Sequence, residues 1–303
     1  MTTTELPDVE TVTGRTTRGI RVSRRRTTPG QIVLIAALAV AAIYFLFPVY
    51  WLAIAATKSS GSLFGSSGFL LDKPQLLSNI QNVFAYSGGI FVRWAGNSLL
   101  YSGVGALVAT TLSISAGYCL AKFQFRGREF WFNVILAGVM IPGTALALPL
   151  FLMMSQLGLV NTYWAVLIPS LLSPFGVYLG RIYATAAVPD SLLEASRLDG
   201  AGEFRIFFGL VLRLMAPAAV TVFLFQFIGI WNNYFLPLVM LSDQSLYPIT
   251  LGLVSWQSVS DRHPELFQLA IGGAFISVIP IMIAIISLQK FWRAGLTEGS
   301  VKG

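Results

Sequence analysis

The sequence predicts an all-α integral membrane protein with six membrane-spanning helices. Its composition is the first observation behind this prediction: 55% of the 303 residues are hydrophobic and 11% are charged. Soluble globular domains carry roughly 25% charged residues. The mean hydropathy of +0.72 points the same way. A chain this rich in apolar residues belongs in a lipid bilayer.

Six long apolar runs are the second observation. They cover about Gln31 to Ala56, Asn97 to Ala121, Phe130 to Ser155, Tyr163 to Gly180, Leu214 to Leu241 and Leu266 to Gln289. Each is long enough to cross the hydrocarbon core as a helix, and the fifth, which is over-long, is expected to tilt or end early. Proline occurs in every run but the second. Kinked helices around a cavity explain these prolines, and simple tolerance of proline in membranes explains them equally well.

The distribution of Lys and Arg is the third observation, and it gives the direction of the spans. With the N-terminus inside, sixteen Lys and Arg residues fall in cytoplasmic segments and four in outer segments. Basic residues concentrate on the cytoplasmic side of membrane proteins. We therefore expect both termini in the cytoplasm, and membrane topology explains the net charge of +7 better than nucleic-acid binding does.

Four segments follow from this topology. Residues 1–28 form a basic, disordered cytoplasmic tail, and residues 29–96 form the first spanning helix with an outer loop. Residues 97–290 form a core of five spanning helices with a cytoplasmic loop at 184–213, and residues 291–303 form a cytoplasmic tail. The first run is too long for a secretory signal peptide and lacks a small-residue cleavage site, so we interpret it as a retained helix.

Several function classes are disfavoured by what the chain lacks. None of the six runs contains Asp, Glu, Lys, Arg or His, whereas ion-coupled carriers usually place such groups at mid-membrane. None of the five lysines follows a glycine, so there is no phosphate-binding loop. One cysteine, Cys119, and one histidine, His263, offer too few ligands for a metal site, and no catalytic residue set is present. We therefore predict no enzyme activity and no cofactor for this chain.

The cytoplasmic loop carries a distinctive local pattern. Pro189 suits a first helical turn, and Asp190 and Glu194 favour a helix N-terminus. Gly200 and Gly202 are expected to end that helix in a sharp turn. A second helix then starts near Glu203 and leads into the fifth span.

This loop resembles the EAA loop of ABC importer permeases. Glu194, Ala195 and Gly200 match at the family's spacing, while Ser196 replaces the second Ala and Arg213 replaces the terminal Pro. The resemblance implies a type I ABC importer permease fold in which this loop seats in a cleft of an ATP-hydrolysing subunit. A generic helical hairpin with an Asp-Gly turn is the alternative. The residues that the resemblance places at the interface are Glu194, Ala195, Ser196, Asp199, Gly200 and Ala201.

Two further stretches resemble permeases for oligosaccharides and glycerol-phosphate-like solutes. They are residues 231–238 and 160–165. The chain as a whole resembles the shorter, six-helix subunit of the maltose-type permeases over nearly all of residues 30–290. Amide groups can form hydrogen bonds with sugar hydroxyls, and aromatic rings can stack on pyranose rings, so these residues are candidates for contact with a sugar. The alternative is a structural role, because polar residues in spans also form hydrogen bonds between helices. The candidate substrate-pathway residues are Trp231, Asn232, Asn233, Tyr163 and Trp164.

The resemblance also implies partners and a location. A second permease subunit would complete a heterodimer in the bacterial inner membrane, in contact with lipid. A dimer of cytosolic ATP-binding subunits would hold ATP and Mg, and an extracytoplasmic solute-binding protein would dock at the outer loops, residues 57–96 and 242–265. Sugar is the expected solute. A glycerol phosphate, a peptide or an amino acid remains the alternative, and an ion-coupled carrier is less favoured.

Overall fold

The computed structural model describes residues 29–298, which contain helices and no strand. The chain divides into two units, residues 1–48 and residues 49–303. The basic tail predicted for residues 1–28 and the last part of the predicted C-terminal tail, residues 299–303, lie outside the described residues.

The first predicted span is one helix, α1, Pro29–Thr57. Nearly all side chains between residues 29 and 50 are exposed although the segment is strongly apolar, as expected of a surface that faces lipid or a partner. Within the second unit, the end of α1 packs Ala55 and Ala56 against Ile271. The loop that follows contains α2, Ser60–Gly65, and α3, Leu76–Ala85.

The second span is longer than the sequence predicts. Helix α4 covers Ile90–Lys122, so it begins at Ile90 rather than Asn97. The additional turns at its N-terminal end are less apolar than the rest and carry Arg93. Because of this, hydropathy alone places the start of the span later than the structure does.

The third predicted span is interrupted. Helix α5 covers Arg128–Val139 and helix α6 covers Ala147–Gln156, with a turn between them. Pro142 cannot donate a helical hydrogen bond, and the backbone turns there as the Ala145 N–H donates to the Pro142 carbonyl at 3.0 Å. Because the whole run is apolar, its hydropathy does not reveal this break.

The fourth span consists of α7, Tyr163–Ser170, and α8, Pro174–Ala187. The loop that the sequence predicts to be cytoplasmic forms α9, Asp190–Leu198, and α10, Glu203–Ile206. A π-helical stretch, Phe207–Val211, and the short helix α11, Leu212–Leu214, continue the chain toward the membrane.

The fifth span is also broken. Helix α12 covers Ala216–Trp231 and α13 covers Phe235–Met240, so the over-long run does end early. Helix α14, Ile249–Ser258, lies in the following loop, and the long helix α15, Pro264–Glu298, is the last. By length and apolar character, four helices of the described part could each cross a bilayer, and a pair bent by 80° raises that number to five.

Close packing of α4 against α8 forms the centre of the bundle. A Cβ atom on Gly117 would lie 2.6 Å from the backbone of Gly180, and one on Gly176 would lie 2.6 Å from the Ser113 Oγ. Small residues at four-residue spacing let membrane helices approach this closely. The two helices are therefore in close contact at Gly117 and Gly180.

The N-terminal half of α4 forms hydrogen bonds to the loop that precedes α14. The Trp94 Nε1–H donates to the Gln244 carbonyl at 2.8 Å, and the Tyr101 hydroxyl donates to the Leu246 carbonyl at 2.9 Å. Asn97 Nδ2 donates to the carbonyls of Ser245 and Tyr247. Polar residues on an apolar helix are thus satisfied by loop carbonyls, as buried polar groups require.

Candidate functional site: the α9 turn and a cavity between the spans

Helix α9 contributes a single buried side chain to the apolar core. Leu193 is buried, and it packs in a cluster with Val188 of the preceding segment and Ile206 of α10. Glu194, Ala195 and the following turn are exposed. Most of the helix surface is therefore free to meet another protein.

Gly200 closes α9 with a left-handed turn. Its φ of +79° is one that side-chain-bearing residues rarely adopt. The Gly200 N–H donates to the Arg197 carbonyl, and the Ala201 N–H donates to the Ser196 carbonyl, each at 3.0 Å. This pair of bonds is the Schellman pattern, which satisfies the last carbonyls of a helix. The predicted role of Gly200 in a sharp turn agrees with this geometry.

Ser196 and Gly202 complete the turn. The Ser196 hydroxyl donates to the Leu192 carbonyl at 2.8 Å, so the Ser that replaces the usual Ala is satisfied within its own helix. Gly202 precedes α10 with an extended backbone and an ordinary negative φ. Only Gly200 of the two glycines therefore requires a left-handed conformation.

An ion pair spans the turn from α9 to α10. Arg197 Nε donates to Glu203 Oε1 at 2.7 Å. This hydrogen bond to the carboxylate raises the pKa of the Arg197 guanidinium. The two helices are thus joined across Gly200 by both backbone and side chain.

A second ion pair ties α9 to the end of the second span. Lys122 Nζ lies 2.8 Å from Asp190 Oδ1, and the Lys122 side chain is only 8% exposed. Lys122 is the last residue of α4 and Asp190 is the first of α9. The pair therefore connects the first residue of α9 to the last residue of α4.

The turn presents an apolar residue at its tip. Leu198, the last residue of α9, is 89% exposed. A large apolar side chain held out on a rigid turn is typical of an anchor that fills a pocket on a partner. Beyond α10 the chain bends by 80° at Met215, which is fully buried, and enters α12.

A cavity of about 470 Å³ lies between the broken third span, the fourth span and the fifth span. Its polar wall consists of Thr144, Ser170, Gln226 and Asn233, and its apolar wall includes Leu150 and Ile230. None of the residues that line it is ionisable. Uncharged amides and hydroxyls beside apolar walls suit a neutral ligand rich in hydroxyl groups.

The five candidate pathway residues occupy different places. Asn233 lines the cavity, and its Oδ1 accepts from the Leu236 N–H at 3.2 Å. Asn232 is exposed and its Nδ2 donates to the Ile228 carbonyl at 2.9 Å. Trp231 is buried at 3% exposure and stacks on Phe227 with the ring centroids 5.7 Å apart.

The two candidates on the fourth span also differ. The Tyr163 hydroxyl donates to Asn97 Oδ1 at 3.1 Å, and its ring packs on Tyr101. Trp164 is exposed. Of the five candidates, Asn233 alone is among the residues that line this cavity.

Gln226 is a cavity residue that the sequence prediction missed. Its Nε2 donates to the Ser173 Oγ, and that same oxygen accepts from the Gly176 N–H at the start of α8. The amide is therefore held in place by the cap of the neighbouring helix. The sequence did offer one indication, a glutamine in the middle of the apolar fifth run. A polar residue is costly in a membrane unless it has a partner.

Comparison with known proteins places the chain in a family. Residues 109–295 match the model of the binding-protein-dependent transport system inner membrane component. The chain belongs to this family. The matched residues include the α9 turn and the four helices that supply lining residues to the cavity, α6, α7, α12 and α13. The family relationship therefore covers both parts of the candidate site.

Two relatives extend the similarity to almost the whole chain. The arabinooligosaccharides transport system permease protein AraQ of Halalkalibacterium halodurans is 33% identical over 92% of this chain and 100% of its own length. The lactose transport system permease protein LacG of Rhizobium radiobacter is 32% identical over 92% of this chain and 98% of its own length.

A solved structure shares the fold. One chain of a bacterial ABC transporter involved in the import of the acidic polysaccharide alginate superposes with a TM-score of 0.74 at 24% identity. The match covers 86% of this chain and 95% of that one. The chain is thus an inner membrane component of a binding-protein-dependent transport system, and it shares its fold with the solved transporter chain.

Proposed function

We propose that this permease carries a neutral sugar, such as an oligosaccharide, across the inner membrane. Two relatives above 30% identity are named for arabinooligosaccharide and lactose transport. The observation that carries the proposal is the uncharged cavity lined by Gln226 and Asn233. Hydroxyl groups of a neutral sugar can pair with amides and hydroxyls there without a charge being desolvated.

A glycerol phosphate is the alternative solute, since a less similar relative, UgpE of Yersinia pestis at 29% identity, is named for sn-glycerol-3-phosphate transport. A phosphate in a site of low dielectric needs an Arg or Lys partner. The residues that line this cavity provide neither. We therefore favour the neutral sugar.

The proposed topology has six spans with both termini in the cytoplasm. The excess of Lys and Arg in cytoplasmic segments supports it. In this arrangement the pair α5 and α6 counts as one broken span, and the pair α12 and α13 as another. The α9 turn then lies on the cytoplasmic side, where an ATPase can reach it.

The proposed energy source is a separate pair of cytosolic subunits that bind ATP and Mg. Helix α9 would seat on one of these subunits through Glu194, Ala195, Ser196, Asp199, Gly200, Ala201 and the exposed Leu198. Movement of the ATPase would pull α9, and the Lys122–Asp190 pair would pass that pull to α4. Since α4 packs against α8 and α12, the walls of the cavity would shift with it.

The remaining proposed partners are a second permease subunit and an extracytoplasmic solute-binding protein. The second subunit would supply the other half of the pathway, and the binding protein would deliver sugar to the outer loops. The membership of this chain in a binding-protein-dependent family supports this arrangement.

Reconstitution tests the proposal. The permease, its partner permease and the ATPase are placed in proteoliposomes with the binding protein, and uptake of labelled arabinooligosaccharide, lactose and glycerol 3-phosphate is measured. We expect uptake of a neutral sugar that requires ATP and the binding protein. Uptake of glycerol phosphate alone, or uptake driven by an ion gradient without ATP, would contradict the proposal.

A further inference from the structure

The break between α12 and α13 lies in the wall of the membrane cavity, the space between the third, fourth and fifth spans. Residues 232–234 separate the two helices. Asn233, in the middle of this break, lines the cavity. The position of Asn233 in the wall therefore depends on the hydrogen bonds that hold the backbone of the break.

The Asn233 carbonyl lacks the partner that a continuous helix would give it. In an α-helix a carbonyl accepts from the N–H four residues later. The residue at that place is Pro237, which has no N–H. A carbonyl without a partner inside a protein costs free energy, so a donor from elsewhere in the chain stabilises the break.

Thr250 supplies such a donor from a different helix. Its Oγ1 donates to the Asn233 carbonyl at 3.0 Å. Thr250 is half-buried and lies in the first turn of α14. The central residue of the break is thus bound by a side chain that does not itself line the cavity.

The first turn of α14 is in turn fixed against α4. The Ile249 N–H donates to the Ser98 Oγ at 2.8 Å. Gly252 lies against the Trp94 ring, with no room for a Cβ atom between them. A helix turn that is both hydrogen-bonded and closely packed gives its side chains a rigid support. Thr250 therefore holds the break from a fixed position.

The other polar groups of Asn233 are bound within the broken span. Its N–H donates to the Ile230 carbonyl of α12 at 3.1 Å. Its Oδ1 accepts from the Leu236 N–H of α13 at 3.2 Å. Of these three hydrogen bonds of Asn233, the one from Thr250 ties the break to a separate element.

We propose that Thr250 is a positioning residue of the sugar pathway. Its hydroxyl holds the backbone of Asn233, and through that backbone it sets the place of the Asn233 side chain in the cavity wall. The inference rests on the proposed function, because it takes this cavity as the route of the sugar. It adds a residue that acts on the route from outside the cavity lining.

The test uses the complete transporter in proteoliposomes, with the partner permease, the ATPase and the binding protein. Uptake of labelled arabinooligosaccharide and lactose is measured at subsaturating concentration. We expect Thr250→Val, which removes the hydroxyl and keeps the shape, to lower uptake about fivefold, the effect of losing one typical hydrogen bond. Thr250→Ser keeps the hydroxyl and should stay within twofold of wild type. ATP hydrolysis without binding protein should be the same in both variants.

Thr221→Val is the matched control. Thr221 is a half-buried threonine of α12 that does not line the cavity, and its Oγ1 donates to the Pro217 carbonyl at 2.7 Å within its own helix. The same substitution there should leave uptake within twofold of wild type. The inference is overturned if Thr250→Val behaves like Thr221→Val, or if Thr250→Ser transports as poorly as Thr250→Val.

A double variant tests whether Thr250 acts through Asn233. Asn233→Ala alone should lower uptake at least as much as Thr250→Val. If Thr250 works by placing Asn233, the double variant should match Asn233→Ala within twofold, because the two losses are not independent. Losses that multiply in the double variant would overturn the inference.

Thr250→Ala keeps the test valid if the valine variant does not fold. It removes the same hydroxyl with a smaller side chain, and it should lose uptake as Thr250→Val does while melting close to Thr250→Ser. If neither the alanine nor the valine variant folds, Thr250 acts in folding and the inference is overturned. A wild-type complex that takes up neither sugar would instead overturn the proposed function, and this inference with it.

Discussion

At the residue scale, the structure separates candidates that share the same chemistry. Trp231, Asn232 and Asn233 are adjacent in sequence, yet only Asn233 lines the membrane cavity. The sequence shows that amides and aromatic rings cluster near the end of the fifth span. Which of them faces the cavity depends on where α12 stops, and that depends on the break between Trp231 and Phe235.

Gln226 is the residue whose role is most open to a direct test. Replacing it by Leu removes an amide from the cavity wall, and a lost hydrogen bond in a dry site costs about 1–3 kcal/mol. We expect Gln226→Leu to lower sugar uptake at subsaturating concentration about fivefold to tenfold, consistent with the lower part of that range. Hydrolysis of ATP without binding protein should not change, because Gln226 is far in sequence from the α9 turn.

Gln257→Leu is the control for this prediction. Gln257 is an exposed glutamine on α14 that does not line the membrane cavity. The same loss of an amide there should leave uptake within twofold of wild type. Equal uptake by the two variants would show that Gln226 does not contribute to the sugar pathway.

At the element scale, long helices were easier to predict than interrupted ones. The first, second and last spans are continuous helices close to their apolar runs. The third run breaks near Pro142 although its hydropathy is continuous. Proline is tolerated in many membrane helices, so its presence does not tell a kink from a complete break. The interruption depends on the packing of α5 and α6 against other helices.

The contact between α4 and α8 leads to a stability prediction. A Cβ on Gly117 would lie 2.6 Å from α8 backbone atoms, whereas one on Gly103 of the same helix would have no heavy atom within 4 Å. We therefore expect Gly117→Val to destabilise the purified protein by at least about 1–3 kcal/mol, the usual cost of overpacking. Gly103→Val should melt close to wild type in the same detergent. Equal melting temperatures would show that the two helices do not cross closely at Gly117.

The ion pair between α4 and α9 leads to a prediction about coupling. Lys122→Glu or Asp190→Lys places like charges together, which should loosen α9 from the second span. We expect either single variant to take up several-fold less sugar per ATP hydrolysed. The double variant Lys122→Glu with Asp190→Lys restores opposite charges and should recover much of the loss. If the double variant is no better than the singles, the pair does not transmit the movement.

At the scale of the whole molecule, the sequence predicted the class of protein, and it predicted the two short helices α9 and α10 with a glycine turn between them. The family and the fold agree with that prediction. The shape of the cavity could not be predicted, because it arises where three broken or bent segments meet.

The topology can be tested with single cysteines. Cys119 is first replaced by Ala, and then Asp199→Cys or Asp261→Cys adds one thiol to an exposed position. A membrane-impermeant thiol reagent should label position 261 in intact spheroplasts and position 199 only in inverted vesicles. The opposite result would reverse the topology and place the α9 turn outside the cell.

The central claim is that the turn at Gly200 couples ATP hydrolysis on another subunit to movement of the pathway. Gly200→Val tests it most directly, because Gly200 has a φ of +79° whereas Gly202 has an ordinary φ. A β-branched residue in a left-handed turn costs at least about 1–2 kcal/mol. The measurement is sugar taken up per ATP hydrolysed in proteoliposomes. The ratio should fall severalfold in Gly200→Val and stay near wild type in Gly202→Val, and an unchanged ratio in properly inserted Gly200→Val would contradict the claim.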